Sequence, residues 1–255
     1  MNVAEALRTG YERTASRTGV ALVAVAFLVQ TANTVALQSQ PPEAFTVLRE
    51  RYPELAPEPG GPLSLPLSAG GAAALSLFAT VATAAVFVVA FRALSDDGIP
   101  SPGRVTRNVG RATLHGLVGY LLLLVLVGAG LALFVLPGVF VLVSFAFFAG
   151  FVALEDEGVV GAYRRSWGLT SGRRLGVALL FGALSLVVVL VTLVAGASLS
   201  FVFEVSETLA YLVDAVVSAL TFVYAVAVLA VGFEQLRNGE EGDDEFTDID
   251  DELLP

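Results

Sequence analysis

Six stretches of the sequence are apolar over about 20 consecutive residues, and this feature restricts the fold more than any other. At a rise of about 1.5 Å per residue, a helix of this length crosses the hydrocarbon core of a bilayer, which is about 30 Å thick. Lipid offers no hydrogen-bond partner to peptide groups, so each stretch must satisfy its own backbone as a helix. The sequence therefore predicts an all-α, polytopic transmembrane bundle, with spans at about 18–38, 69–93, 115–135, 138–154, 175–197 and 208–233.

The composition favours lipid over water as the solvent of this chain and excludes several classes of function. Of the 255 residues, 56% are hydrophobic and only 15% are charged, which lies well outside the soluble norm. The chain has no Cys and a single His, His115, so disulfides, zinc sites and iron–sulfur clusters are excluded and we predict no metal or cofactor. Because no motif of a hydrolase, metalloprotease or nucleotide-binding enzyme is present, we predict no enzymatic activity.

The arginines predict how the spans are oriented. Twelve of the 14 fall on one side of the predicted membrane, and only Arg49 and Arg51, in a Pro-rich loop at 39–68, fall on the other. The positive-inside rule then predicts that both ends of the chain lie in the cytoplasm, with the protein in the plasma membrane. None of the basic residues is Lys, a composition that resembles proteins of extreme halophiles.

Four cytoplasmic segments follow from this orientation. The first is the N-terminal segment 1–17, and two Arg-rich loops lie at 94–114 and 155–174. The fourth, at 234–255, holds ten acidic residues against Arg237, so we predict a disordered acidic tail that can meet a protein partner. Topology explains the Arg clusters, and we predict no nucleic-acid partner.

The two Arg-rich loops are predicted to form helices that lie on the cytoplasmic surface of the membrane. In the first loop three arginines recur at helical spacing on one face. In the second loop Val160, Tyr163 and Trp167 have that spacing and arginines flank them, and both patterns are typical of surface helices. Each Arg near an anionic leaflet contributes on the order of 1 kcal/mol, so anchoring on membrane lipids explains the charges, and docking of a protein is the alternative. The candidate lipid-headgroup contacts are Arg104, Arg107, Arg111, Arg164, Arg165, Arg173 and Arg174.

Asp214 is the one carboxylate within a predicted span. A charge in hydrocarbon is costly, so this side chain should pair with another group, take up a proton or face water. Other polar residues share its helix face, and two more lie at a similar depth in the first span. The functional interpretation is a proton or cation pathway, and hydrogen-bonded contact between helices is the alternative. The candidate polar site comprises Asp214, Tyr211, Ser218, Thr221, Gln30 and Asn33.

Two segments of the sequence repeat at an offset of 60 residues. Residues 91–98 and 151–158 agree at five of eight positions, and the same offset relates Arg104 to Arg164. A duplication would relate the second and third spans to the fourth and fifth in parallel orientation, as in some transporters. The alternative is that cytoplasmic helix ends share one pattern: an aromatic residue, then acids, then Gly.

Two features of the predicted bundle have their own local signals. Leu136–Gly138 contains Pro and Gly between the third and fourth apolar stretches, so we predict a tight hairpin there. Polar residues from Gln30 to Thr34 interrupt the first apolar stretch, so a cleaved signal peptide is the alternative to a first span.

The second half of the chain resembles a known family. The sequence Leu-Pro-Gly at 136–138, Leu-Glu-Asp at 154–156 and Arg-Ser-Trp-Gly-Leu-Thr-Ser-Gly at 165–172 carries the resemblance. It is similar to a broad family of multi-pass proteins that includes the membrane domain attached to some glycerophosphodiester phosphodiesterases. Because this chain has no soluble catalytic domain, the resemblance implies the membrane module and not the phosphodiesterase activity.

Two functions are compatible with this pattern. The first is a non-enzymatic structural or interaction role at the membrane, through the surface helices and the acidic tail. The alternative is a small-solute or ion transporter that uses the polar face of the sixth span, where Asp214 lies.

Overall fold

The structure is a computed structural model that describes residues 1–53, 60–95 and 102–252. Within these residues the chain is helical and has no strand, which confirms the all-α prediction. The helices are, in chain order, α1 (Val3–Thr14), α2 (Arg17–Gln38), α3 (Thr46–Arg51), α4 (Ala69–Leu94), α5 (Pro102–Thr106), α6 (Val109–Leu133), α7 (Val135–Ser144), α8 (Phe148–Glu155), α9 (Val159–Thr170), α10 (Arg174–Val205) and α11 (Glu207–Glu252), with a 3₁₀ turn at Pro42–Phe45 before α3.

Six segments of the described chain are long and apolar enough to cross a membrane, and they match the predicted spans. The chain is therefore a multi-pass membrane protein. The first segment, α2, packs against α4 and α11, which favours a retained span over a cleaved signal peptide. The six segments are Arg17–Gln38, Ala69–Leu94, Val109–Leu133, Val135–Glu155, Arg174–Val205 and Glu207–Gly239.

Aromatic rings form the centre of the bundle. Phe233 of α11 lies between Phe91 of α4 and Phe151 of α8, with ring centroids 6.0 and 5.0 Å away. Phe91 and Phe151 are equivalent residues of the two repeated segments, so both segments contact the ring of Phe233. Gly150 makes the approach feasible, because a Cβ there would lie 3.1 Å from atoms of both Phe233 and Phe91.

The turn between the third and fourth spans lies at Phe134, and the predicted hairpin at Leu136–Gly138 is wrong. Phe134 is extended, with φ −160° and ψ 159°, and α7 begins at the next residue. Pro137 thus lies in the first turn of α7, where the missing N–H costs no helical hydrogen bond. The helices cross closely here, since a Cβ on Gly130 would lie 2.7 Å from the Cα of Gly138.

The fourth span is interrupted at residues 145–147, where the sequence predicted one continuous helix. Side chains of α9 satisfy the backbone groups at this break. The amide of Phe147 donates to the Ser166 hydroxyl (3.2 Å), and the hydroxyls of Ser166 and Thr170 donate to the carbonyl of Ser144 (3.2 and 3.1 Å). Ser166 and Thr170, which lie in the segment at 165–172, therefore have a structural role.

Helix α9 is more deeply packed than the surface helix that we predicted. Ser166 and Thr170 have no exposed surface, and Tyr163 is also buried. The reason is the break in the fourth span, which presents unpaired backbone groups that the polar side chains of α9 reach. Val160, on the other side of α9, remains exposed.

The N-terminal segment 1–17, predicted to be cytoplasmic, contains a helix that packs on the bundle. Helix α1 packs across α11, and a Cβ on Gly10 would lie 2.5 Å from Val228. Arg13 forms an ion pair with Glu234 at 2.8 Å and donates to the carbonyl of Leu94. The N-terminal helix and the end of the sixth span therefore lie at the same end of the bundle, which we call the Arg-rich end.

The first residues of the segment 234–255, predicted to be an acidic tail, continue helix α11. Leu236, among them, is buried. The guanidinium of Arg173 donates to the carbonyls of Leu236 and Gly239, both at 2.9 Å. Apolar packing and these bonds hold the segment to the bundle, and the backbone is helical as far as Glu252, where the sequence predicted disorder.

Candidate functional site

Four of the six predicted polar residues line one cavity of about 400 Å³ between α2, α10 and α11. They are Gln30, Asp214, Ser218 and Thr221, and Thr192 of α10 joins them. The sequence did not indicate Thr192, because a single Thr in a long apolar helix is usually bonded to its own backbone and has no pattern. We call this space the Asp214 cavity.

Asp214 is exposed at the wall of this cavity, and no other residue in the described part of the chain hydrogen-bonds or ion-pairs with its carboxylate. Along α11, Asp214 lies about 30 Å from Glu234, which is about the thickness of the hydrocarbon core. If Glu234 marks one boundary of the membrane, Asp214 marks the opposite one. Its charge is therefore placed where water can reach it.

Tyr211 lies one turn before Asp214 but does not line the cavity. Its ring packs edge-on against Phe203 of α10, with centroids 5.3 Å apart. This contact joins the end of α10 to the start of α11. Tyr211 therefore does not contribute to the cavity.

Asn33 pairs with α4 and not with Asp214. Its side-chain amide donates to the hydroxyl of Thr83 at 3.0 Å and to the side-chain oxygen of Gln30 at 3.3 Å. Gln30 thus touches the Asp214 cavity on one side and Asn33 on the other.

A second cavity of about 590 Å³ lies between helices of the bundle, is partly open at the surface and borders the first. Its polar wall is formed by Asn33, Thr80 and Thr83, and the remaining walls are largely apolar, with Phe181 and Leu229 among them. We call it the inner chamber. The ring of Phe222 lines both spaces. Phe222 and the Gln30–Asn33 pair therefore separate a polar cavity from an apolar one.

The seven arginines predicted to contact lipid headgroups have different surroundings. Arg107 pairs with Asp156 at 2.8 Å, and Arg165 pairs with Glu155. Arg173 donates to backbone carbonyls, as described above. Within the described side chains, Arg111 and Arg164 are exposed and have no protein partner, and Arg104 lies outside them.

Arg174 contacts two aromatic rings. Its guanidinium carbon lies over the rings of Phe140 and Trp167, at 4.7 and 4.5 Å from their centroids. No described carboxylate pairs with it, and its Nε is buried without a hydrogen-bond partner.

Arg92 is a structural centre that the sequence did not single out. The residue is only 6% exposed and donates to the carbonyls of Ala153, Val105 and Arg107 and to the carboxylate of Asp156, the last at 2.9 Å. Asp156 also accepts from Arg107, so one carboxylate joins two arginines. The sequence counted Arg92 only as a charge near the membrane surface, and no local signal distinguishes a buried Arg from an interfacial one.

Tyr163 joins α9 to α6 beside the interrupted span. Its hydroxyl donates to the carbonyl of Gly119 at 2.7 Å, and its ring stacks on Phe148 with centroids 5.1 Å apart. Burial raises the pKa of Tyr163 to about 12, because the phenolate would lose its hydration.

In the part of the chain that the structure covers, no group of three or more His, Cys, Asp or Glu side chains is arranged to hold a metal ion. The arrangement at the Asp214 cavity can instead provide a carboxylate and several hydroxyl and amide groups beside an apolar space. This combination suits an amphipathic molecule.

The comparisons with known proteins identify one family. The family model described as "Domain of unknown function (DUF7847)" matches residues 1–236, from α1 into the sixth span. No curated protein and no solved structure matches the chain.

Proposed function

We propose that this chain, which belongs to the DUF7847 family, binds a small amphipathic cation within the membrane and lets it move between the Asp214 cavity and the inner chamber. The observation that carries the proposal is the juxtaposition of the two spaces, one holding an unpaired carboxylate and the other apolar, with Phe222 between them. This proposal is the small-solute transporter function that the sequence analysis gave as the alternative, with an amphipathic cation as the class of solute.

The dimensions of the cavities support this proposal. Ligand pockets in proteins are typically about 300–1,000 Å³, mostly apolar, with a few polar groups that fix orientation. At about 590 Å³ the inner chamber lies in that range, and Asn33, Thr80 and Thr83 provide its polar groups. A molecule with an apolar body and one polar end matches such a lining.

The charge of the ligand follows from Asp214. An ionised carboxylate without a protein partner favours a cation, because opposite charges attract. In the cavity, the hydroxyls of Ser218 and Thr221 and the amide of Gln30 can orient the ligand. We therefore expect a cation to bind more tightly than an anion of the same size and shape.

The test compares two lipophilic ions of nearly equal size and opposite charge, tetraphenylphosphonium and tetraphenylborate. Binding to the purified full chain in detergent micelles is measured by isothermal titration calorimetry. We expect the phosphonium ion to bind to the wild-type protein, and Asp214→Asn to weaken this binding about tenfold, which is about 1.4 kcal/mol. The borate ion should bind no better to the wild-type protein than to the Asn variant.

The matched control is Glu204→Gln, which removes an equal charge from an exposed position outside the cavity. It should leave the affinity for the phosphonium ion within about twofold. Equal affinity of wild type and Asp214→Asn, or an equal loss in Glu204→Gln, contradicts the proposal. Flux of the same ion in reconstituted vesicles then separates a transporter from a binding protein.

A second candidate function, a structural or interaction role at the membrane, is favoured by the ion pairs of the Arg-rich end. Arg13, Arg92 and Arg165 each pair with a carboxylate, which joins the helix ends into a fixed surface. Such a surface suits docking of a protein partner, with the acidic segment of α11 beside it. If this candidate is right, the protein tolerates Asp214→Asn and a partner copurifies with it in mild detergent.

We further propose that the Arg-rich end faces the cytoplasm, as the positive-inside rule predicts, and that the membrane is the plasma membrane. The chain has no native Cys, so single Cys variants report accessibility directly. Val160→Cys at the Arg-rich end and Leu65→Cys at the opposite end are suitable, because both side chains are exposed. A membrane-impermeant maleimide added to sealed cells should label Leu65→Cys only, and labelling of Val160→Cys alone reverses the orientation.

The resemblance to the membrane domain of glycerophosphodiester phosphodiesterases belongs to this proposal as well. We propose that it reflects a shared membrane module, in which Ser166 and Thr170 hold an interrupted span. A structure of such a membrane domain with an unbroken fourth span would contradict this relation.

A further inference from the structure

We propose that Arg174, braced by Phe140 and Trp167, is a specific binding site for the phosphate of an anionic phospholipid at the Arg-rich end of the bundle. This site is distinct from the Asp214 cavity and does not depend on the function proposed for it.

The first argument is that the charge of Arg174 has no protein partner. Arg92 and Arg107 share Asp156, and Arg165 pairs with Glu155. Among the described residues, by contrast, no carboxylate lies within ion-pair distance of Arg174, and its Nε is buried without an acceptor. A partly buried guanidinium without a counter-ion is costly, so an anion from outside the chain is favoured.

The second argument is that the side chain is held in place. The rings of Phe140 and Trp167 lie 4.7 and 4.5 Å from the guanidinium carbon, and their centroids are 5.7 Å apart. Two ring contacts restrict the movement of the guanidinium, and a restricted guanidinium favours two parallel hydrogen bonds to one phosphate. Arg111 and Arg164 have no such ring contacts and are exposed.

The third argument concerns the source of the anion. Arg174 is the first residue of the fifth span, and its neighbours Leu175 and Leu179 expose 76% and 58% of their surface toward the surrounding membrane. Trp167 is 41% exposed beside them, as expected for a Trp at the interface between headgroups and acyl chains. Acyl chains can lie on this apolar surface while the phosphate meets Arg174. A free phosphate ion would gain only the contact with Arg174.

The first experiment uses the unmodified protein. Trp167 is the single Trp of the chain, so its fluorescence reports this site alone. The protein is placed in lipid nanodiscs that contain equal amounts of phosphatidylglycerol and phosphatidylcholine, with brominated acyl chains on one lipid or the other. Because bromine quenches Trp at contact distance, we expect the brominated phosphatidylglycerol to quench about twofold more strongly. Equal quenching by the two lipids overturns the proposal.

The second experiment uses variants. Native mass spectrometry counts the phosphatidylglycerol molecules that remain bound to the detergent-purified chain. We expect Arg174→Gln to weaken the tightest binding event about tenfold, and Arg174→Lys to be intermediate, because Lys keeps the charge without the planar fork. The matched control is Arg164→Gln, an equal loss of charge from an exposed position on α9, which should change binding less than twofold.

Two outcomes of the variant experiment contradict the site. Wild-type binding by Arg174→Gln does so, as does an equal loss in Arg164→Gln, which would indicate general surface charge. Inorganic phosphate at about 10 mM is the remaining arm. It should leave the bound lipid in place, and displacement would assign the site to a free anion instead. If Arg174→Gln does not fold, the quenching experiment decides.

Discussion

Replacing Asp156 by Asn isolates the charge at the centre of the Arg-rich end. Asp156 has a left-handed backbone conformation, with φ 54°, and Asn adopts that conformation more readily than most residues. The amide oxygen of Asn can still accept from Arg92, so the substitution removes the negative charge and little else. Any loss of stability then measures the charge pairing.

The structure sets the size of the effect. Removing one member of a fully buried ion pair costs about 3–5 kcal/mol, because the other charge is left without compensation. The Arg92 side chain is 5% exposed, but Asp156 is 16% exposed, and Arg92 keeps its three carbonyl acceptors. We therefore expect Asp156→Asn to lower the free energy of unfolding by about 2–3 kcal/mol.

The assay is equilibrium unfolding in mixed micelles, with a rising fraction of sodium dodecyl sulfate and far-ultraviolet circular dichroism as the signal. The matched control is Arg107→Gln, whose side chain pairs with the same carboxylate but is 64% exposed. It should cost less than about 1 kcal/mol, since exposed ion pairs contribute little. The reasoning is refuted if Arg107→Gln lowers the free energy of unfolding as much as Asp156→Asn does. It is also refuted if Asp156→Asn lowers it by less than about 0.5 kcal/mol.

Three further predictions concern packing and the interrupted span. Gly130→Ala should destabilise the protein by about 1–3 kcal/mol, because the added methyl group meets the backbone of α7. Ser166→Ala should cost about 1–3 kcal/mol, since it leaves the buried amide of Phe147 without an acceptor. The contribution of the neutral Tyr163 side chain to stability should be complete below about pH 10 and be lost as the pH rises toward its folded pKa of about 12.

The same unfolding assay tests the first two predictions, and absorbance at 295 nm follows the tyrosines. Gly128→Ala is the control for Gly130, because a Cβ there meets nothing within 4 Å and Ala favours helix. Ser171→Ala is the control for Ser166, since Ser171 is exposed. Tyr163→Phe should remove the part of this titration that lies near pH 12. A destabilised Gly128→Ala, an unaffected Ser166→Ala or an unchanged titration in Tyr163→Phe contradicts the corresponding argument.

Local sequence signals predicted a helix end correctly where the signal had one interpretation, and incorrectly where it had two. The second span was predicted to begin at residue 69, and α4 begins there, where the Ser68 side chain caps it. Pro137 was interpreted as part of a turn, but Pro is equally stable in the first turn of a helix. The sequence alone does not decide between these, because the choice depends on how α6 and α7 pack at Gly130 and Gly138.

The candidate site was predicted in part. Helical spacing brought Asp214, Ser218 and Thr221 onto one face, and the cavity contains all three. Spacing within one helix carries no information about neighbouring helices, so it could not indicate Thr192 or the pairing of Asn33 with α4.

The sequence by itself determined the six membrane helices and their approximate bounds, because a backbone in lipid has no other way to satisfy its peptide groups. The tertiary structure alone decided which charges are paired. Arg92 and Asp156 are 64 residues apart, and Arg13 and Glu234 are 221 apart. An ion pair requires only that two side chains meet in space, and the order of residues along the chain does not specify that meeting.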